Sequence, residues 1–210
     1  MADRLRVFLA SRNAKKIEEM RRILSGYLPD VVVLGAADVA PYDEPVEDQP
    51  TFEGNALLKA RAALDATGLP SLADDSGLCV DALNGMPGVL SARWSGPPKD
   101  DQRNNALLLD QLADVPDRRR GAEFRCAVAL FHPDGAQRVT SGDMRGRIIR
   151  ELRGTGGFGY DALFVPDEQD GQLTSAEMSA EAKDRISHRG KSLRAMAPVV
   201  AQMLGAEGGT

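Results

Sequence analysis

Apolar residues gather at positions 5–10, and Ile17, Met20, Ile23 and Leu24 then fall on one helical face in a segment rich in Glu and Arg. This pattern predicts a short buried strand, a loop and an amphipathic helix. Residues 31–34 predict a second strand, followed over 38–50 by an acidic loop punctuated by Pro. Residues 52–67 have helix-forming composition, with Ala56, Ala60, Ala63 and Leu64 at close-packing spacings, and Gly68 and Pro70 end the segment. An apolar run then enters the pair Asp74-Asp75. Residues 102–112 predict a helix with Ala106, Leu109 and Leu112 on its apolar face.

The period then changes. Residues 124–131 and 137–140 flank His132-Pro133-Asp134-Gly135, a hairpin signal in which His132 is a turn residue. Residues 144–150 and 162–165 predict two further strands. A final helix is expected over 191–204, with a kink or restart at Pro198, because an interior proline costs about 3 kcal/mol. Hairpin and crossover connections together predict an α/β fold, a single domain over 1–210 with a central mixed, twisted sheet flanked by helices.

Composition narrows the function. A chain of 210 residues can bury one sizeable core. Its 26 basic and 31 acidic residues leave a net charge of -5, so nothing global attracts nucleic acid or an anionic membrane. An anionic substrate must be met by local charge. Cys79 and Cys126 have no CxxC or Cys/His spacing and read as small buried residues, not as a disulfide or a zinc site. No run approaches the ~20 apolar residues of a membrane helix, and residues 1–10 do not read as a signal peptide. A cytoplasmic protein with a frayed tail over 205–210 is expected.

Ala73-Asp74-Asp75-Ser76-Gly77-Leu78 is where chemistry is expected, because carboxylates beside Leu72, Leu78 and Val80 are costly to bury without a cation or hydrogen bonds. A solvated Asp-Ser-Gly turn is the alternative. If a strand runs through the pair, Asp74 and Asp75 face opposite ways and take different roles. Ser11-Arg12-Asn13-Ala14-Lys15-Lys16 lies between the first strand and the first helix, where helix N–H groups and lysines can meet phosphate; a plain capped helix with solvated lysines is the alternative. Gly154-Thr155-Gly156-Gly157-Phe158-Gly159 fits G-x-G-x-x-G but neither follows a strand nor opens a helix, so it is not a dinucleotide fingerprint. Gly190-Lys191-Ser192 lacks the first glycine of a P-loop, because Arg185 stands there. The Gly154–Asp161 stretch reads instead as a loop that lets a ligand approach the backbone. Phe158 and Tyr160 would supply aromatic faces and Asp161 an acceptor for ring nitrogens, unless the aromatics belong to the core.

Five ordered blocks carry a resemblance: Ser11 to Lys16; Phe52-Glu53-Gly54-Asn55-Ala56-Leu57-Leu58-Lys59-Ala60; Asp74-Asp75-Ser76-Gly77 with the Met86-Pro87-Gly88-Val89 and Ser91-Ala92-Arg93-Trp94-Ser95-Gly96 that follow; Gly154 to Asp161; and Ser187-His188-Arg189-Gly190. Across about residues 7–204 the chain resembles the noncanonical purine nucleoside triphosphate pyrophosphatases, which cleave inosine and xanthosine triphosphates. The resemblance implies hydrolysis of ITP, dITP or XTP to the monophosphate and pyrophosphate, in a cleft between two lobes. It implies a homodimer. It assigns Ser11, Asn13 and Lys16 to the triphosphate, with Arg12, Ala14 and Lys15 in the same loop. It assigns Asp75 to water activation and metal contact, Glu47 to a second metal contact, and Ser76 to substrate. Phe158 would stack on the base beside Gly159 and Tyr160, while Asp161, Lys183, His188 and Arg189 would read it. Magnesium is the expected ion, since a polyphosphate and hard oxygen ligands suit it.

One departure stands out. The family commonly places an acid directly before Asn55, where this chain has Gly54, with Glu53 one residue earlier. Two other readings stay open at this level: a related pyrophosphatase with another base preference, and a nucleotide-binding sensor without catalysis. The presence of Lys16, Asp75 and Ser76 together argues against the sensor.

Overall fold

The computed structural model describes residues 5–205. Of the tail expected to fray, 205–210, residues 206–210 lie outside the described residues. Among the described residues, six strands form one sheet in the order β2-β1-β3-β4-β5-β6: β1 (Arg6–Leu9), β2 (Val32–Leu34), β3 (Ser71–Val80), β4 (Gly121–Phe131), β5 (Gln137–Ile148) and β6 (Phe164–Pro166). The sheet is mixed. β1 pairs parallel with β2, Phe8 opposite Leu34, and parallel with β3, Leu9 opposite Leu72, whereas β5 and β6 are antiparallel with Ile148 opposite Phe164.

Among the described residues five α-helices accompany the sheet: α1 (Ala14–Ser25), α2 (Phe52–Thr67), α3 (Asp101–Gln111), α4 (Ala180–Ile186) and α5 (His188–Met203). Local chemistry explains where the first two start and stop. The Asn13 side chain accepts hydrogen bonds from the N–H groups of Lys15 and Lys16, and Thr51 does the same for Gly54 at the head of α2. Gly68, in the left-handed conformation at φ 67°, closes α2.

The chain divides into two compact units. One comprises the residues through Asp75, Cys126–Gly142 and those from Arg189 onward; the other is Ser76–Arg125 with Asp143–His188. Each has its own core. Val7, Leu9, Met20, Leu24, Leu72, Val128, Leu130, Leu193, Met196 and Val200 pack in the first. Leu78, Val80, Leu108, Leu112, Phe124, Met144, Ile148, Tyr160 and Phe164 pack in the second.

Several expected elements are corrected. The strands read at 137–140 and 144–150 are one strand, β5, since the alternation of exposed and less exposed residues continues through Ser141, Gly142 and Asp143. The strand read at 162–165 begins at Phe164, with Ala162 and Leu163 in the preceding turn. α5 starts at His188 and runs without a restart through Pro198. The buried face of α3 is Asn104, Asn105 and Leu108, continued by Leu112, while Ala106 is exposed; the asparagine amides are buried because they bond loop backbone. Helix α4 was not anticipated. Cys126 is buried but Cys79 only half-buried, and burial pushes their thiols up to about 12 and about 11. No described helix is long and apolar enough to cross a membrane.

Candidate functional site

β3 carries Asp74 and Asp75 as successive buried residues, and the strand continues to Val80. The solvated-turn alternative is thereby excluded. Adjacent strand residues point apart, and the two carboxylates take different partners. Asp74 Oδ2 accepts from Lys16 Nζ at 3.0 Å and Arg189 Nε at 3.2 Å, and Arg189 Nη1 also donates to Glu19 Oε2 at 2.5 Å. Asp75 Oδ2 accepts from Asn55 Nδ2 at 3.0 Å. Its Oδ1 lies 3.7 Å from Lys59 Nζ, which donates to Glu47 Oε1 at 2.7 Å.

Burial and partners set the two acids apart. Burial alone would push the Asp74 carboxyl up, but Lys16, Arg189 and Lys59 outweigh it and hold it far below the carboxylate range. At Asp75 burial prevails over the opposing pull of Lys59 and Asn55, and nearby Glu47 adds to it, so its pKa is raised. Lys59 is pulled down by desolvation yet ends above its ordinary value through Asp74, Asp75 and Glu47. Arg189 likewise overcomes burial through Glu19 and Asp74. Asp74 is thus a fixed anion within an ion network, whereas the Asp75 carboxyl keeps its proton to higher pH than an ordinary aspartate.

The loop of residues 11–16 is placed as expected, but its functional groups are engaged. Ser11 Oγ accepts from Asn13 N–H, and Asn13 caps Lys15 and Lys16, so these helix N–H groups already have a side-chain acceptor. Arg12 donates to the Tyr42 carbonyl and pairs with Glu44. Ala14 opens α1, and Ala14 and Lys15 are exposed.

Glu53 is exposed and accepts from Ser141 Oγ. A Cβ at Gly54 would lie 2.8 Å from Gln49 Cβ, so a larger residue there requires Gln49 to move.

The second unit holds the other predicted residues. Asp161 Oδ2 accepts from Lys183 Nζ at 2.7 Å and from Phe158 N–H at 2.9 Å, and the Lys183 ammonium lies 5.4 Å from the Phe158 ring centroid. Gly157, at φ 69°, leaves room for this turn, because a Cβ there would strike the Asp161 carboxylate. The His188 ring stacks on Phe124 with centroids 4.9 Å apart. Ser76, the first residue of this unit, is half-buried on β3.

One expectation changes here. Tyr160 offers no aromatic face: its ring belongs to the core and its hydroxyl donates to the Ser91 carbonyl at 2.9 Å. Arg189 bonds Glu19 and Asp74. Glu19 was missed, though the signal was present: it directly precedes Met20 on the apolar face of an otherwise charged helix.

A divalent ion such as magnesium needs oxygen donors that converge. Among the described residues no group of three His, Cys, Asp or Glu side chains converges as a metal cage. Glu47 and Asp75, however, are two carboxylates within reach of one ammonium. Magnesium needs only one or two carboxylates beside water and phosphate oxygens, so the pair fits that ion.

The chain is similar along nearly its whole length to proteins of one family. The model of the Ham1 family matches residues 7–199. A dITP/XTP pyrophosphatase of Nocardia farcinica is 58% identical over 199 residues, covering 94% of this chain and 96% of that protein. The crystal structure of a nucleoside-triphosphatase, dITP/XTP pyrophosphatase, from Mycobacterium abscessus is 50% identical, with a TM-score of 0.74 and coverage of 92% of this chain and 100% of that one. A HAM1 protein from Coxiella burnetii is 37% identical, with a TM-score of 0.83 over 94% of this chain and 99% of that one.

Proposed function

The chain belongs to the Ham1 family, and from that premise we propose that it hydrolyses noncanonical purine nucleoside triphosphates, dITP, XTP and ITP, to the monophosphate and pyrophosphate. It thereby removes deaminated purines from the nucleotide pool. The observation that carries the chemistry is the division of labour on β3: one carboxylate locked as an anion by Lys16 and Arg189, and its neighbour with a raised pKa between Asn55 and Lys59.

Asp75 accepts a proton from the water whose oxygen attacks phosphorus, as the bond to the departing pyrophosphate oxygen breaks. A base must be ionised yet basic enough to accept the proton, and a raised carboxyl pKa improves that match. Lys16 and Lys59 supply positive charge where phosphate oxygens accumulate negative charge. Glu47 and Asp75 would hold the magnesium ion, which supplies charge neutralisation to the polyphosphate. On the base side, Phe158 supplies a stacking face and Lys183 a donor suited to a 6-oxo purine, with Asp161 holding both in place. A 6-amino group presents a donor to that donor, which disfavours adenine.

The resemblance also supports a homodimer acting in the cytoplasm; sedimentation at micromolar concentration tests the dimer. Pyrophosphate release from dITP, XTP, ITP, GTP and ATP, with and without Mg²⁺, tests the activity.

A further inference from the structure

One helix holds both backbone polar groups of Gly159. The Asp101 carboxylate accepts from Gly159 N–H at 2.7 Å, and Asn105 Nδ2 donates to the Gly159 carbonyl at 2.9 Å. Four residues separate Asp101 and Asn105, which places them on the same face of α3. Gly159 has φ 61° and stands between Phe158 and Asp161, whose side chain and backbone close a turn on each other. The adjoining Tyr160 is anchored separately through its hydroxyl on the Ser91 carbonyl.

We propose that Asp101 and Asn105 are positioning residues for base recognition: they lock the Gly159 peptide groups so that Phe158 and Asp161 are presented in one geometry before substrate arrives. The inference rests on reading Phe158 and Asp161 as base-side residues. It assigns to α3 a part in affinity and base choice, not in the chemical step, because a preformed loop leaves less ordering to be done on binding.

Two features separate this from ordinary packing of a loop on a helix. Asn105 is 5% exposed, and its Oδ1 has no hydrogen-bond partner among the described residues. A side chain serving packing alone would be apolar here, as Leu108 and Leu112 are further along this buried side. A buried amide with an unmet acceptor is costly, and what it achieves is the hold on Gly159. The second feature is that both Gly159 contacts are supplied by side chains, so the conformation of this turn is set by residues more than 50 positions away in sequence.

The test compares Asp101→Ala, Asn105→Ala and Asp101→Asn, which keeps an acceptor oxygen, with Gln102→Ala on the exposed side of the same helix as control. Loss of one such hydrogen bond corresponds to about a tenfold effect. The two alanine variants are expected to raise KM for dITP about tenfold with kcat within about threefold, and to quicken amide exchange at Gly159 about tenfold with β4 amides unchanged. Asp101→Asn should restore both, and Gln102→Ala should alter neither. Unchanged KM and Gly159 exchange in the alanine variants, or a fall in kcat alone, overturns the proposal. If the wild type hydrolyses no purine triphosphate, the functional reading fails instead. The exchange measurement then decides the clamp by itself, and unchanged exchange overturns it.

Discussion

Lys59 and Asp75 face each other across 3.7 Å, and the same ammonium donates to Glu47 at 2.7 Å. Lys59 thus opposes both the desolvation of Asp75 and the repulsion from Glu47. Removing it has a predictable sign. Lys59→Met should raise the Asp75 pKa further, moving the acid limb of the kcat/KM profile to higher pH, and should lower kcat at neutral pH by about 10²-fold if the charge also serves the transition state. Glu47→Gln should move the limb the other way, since Glu47 raises that pKa. The wild-type limb itself should lie above 3.8, the ordinary value for Asp. Full pH–rate profiles of the three proteins check this.

Breaking the buried Glu19–Arg189 pair should be costly from either side. Both residues are at least nine-tenths buried, and a charge left behind without its partner typically costs about 3–5 kcal/mol. Glu19→Gln and Arg189→Met should each lower the unfolding free energy from urea denaturation by that order, and the double variant should lose less than the sum. Denaturation of the four proteins in a double-mutant cycle measures it.

Asp74 and Asp75 should have opposite effects on stability as pH changes. The Asp74 pKa is depressed in the fold, so its contribution is fully present above the unfolded value near 3.8 and is lost as pH falls below that toward the folded value. The Asp75 pKa is raised, so its contribution is greatest below 3.8 and is lost as pH rises through the folded pKa. Asp74→Asn should therefore destabilise the protein at neutral pH and flatten its acid transition, whereas Asp75→Asn should stabilise it at neutral pH. Urea unfolding at pH 3 to 8 gives both slopes.

Tyr160→Phe should affect folding and not base recognition. The hydroxyl bonds the Ser91 carbonyl inside the core, so its loss should cost about 1 kcal/mol and leave KM for dITP unchanged. Phe158→Ala, by contrast, should raise KM about tenfold, since stacking on a base is worth about 1–3 kcal/mol. Steady-state kinetics beside thermal melts separates the two aromatics.

Much of this arrangement is legible in the sequence. Periodicity gave α1 and α2 because their caps, Asn13 and Thr51, and their apolar faces agree. It misplaced the face of α3, because Asn104 and Asn105 are buried through hydrogen bonds to distant loops, which apolar spacing does not register. It divided β5 at Ser141 and Gly142, residues of low strand propensity that strand pairing overrides. Within the site, Asp74 and Asp75 were legible from their apolar surroundings. The partners that distinguish them were not, since Arg189 reaches Asp74 across 115 positions and Glu19 across 170.

Pyrophosphate release from dITP and XTP, against ATP, by the wild type and Asp75→Asn with Mg²⁺ present and removed decides whether Asp75 activates the attacking water. Rapid Mg²⁺-dependent release from dITP and XTP is expected, with release from ATP slower by about 10²-fold or more and a loss of about 10²-fold or more in the variant while its fold persists. Equal release by Asp75→Asn, or none from either deaminated purine by the wild type, would contradict it.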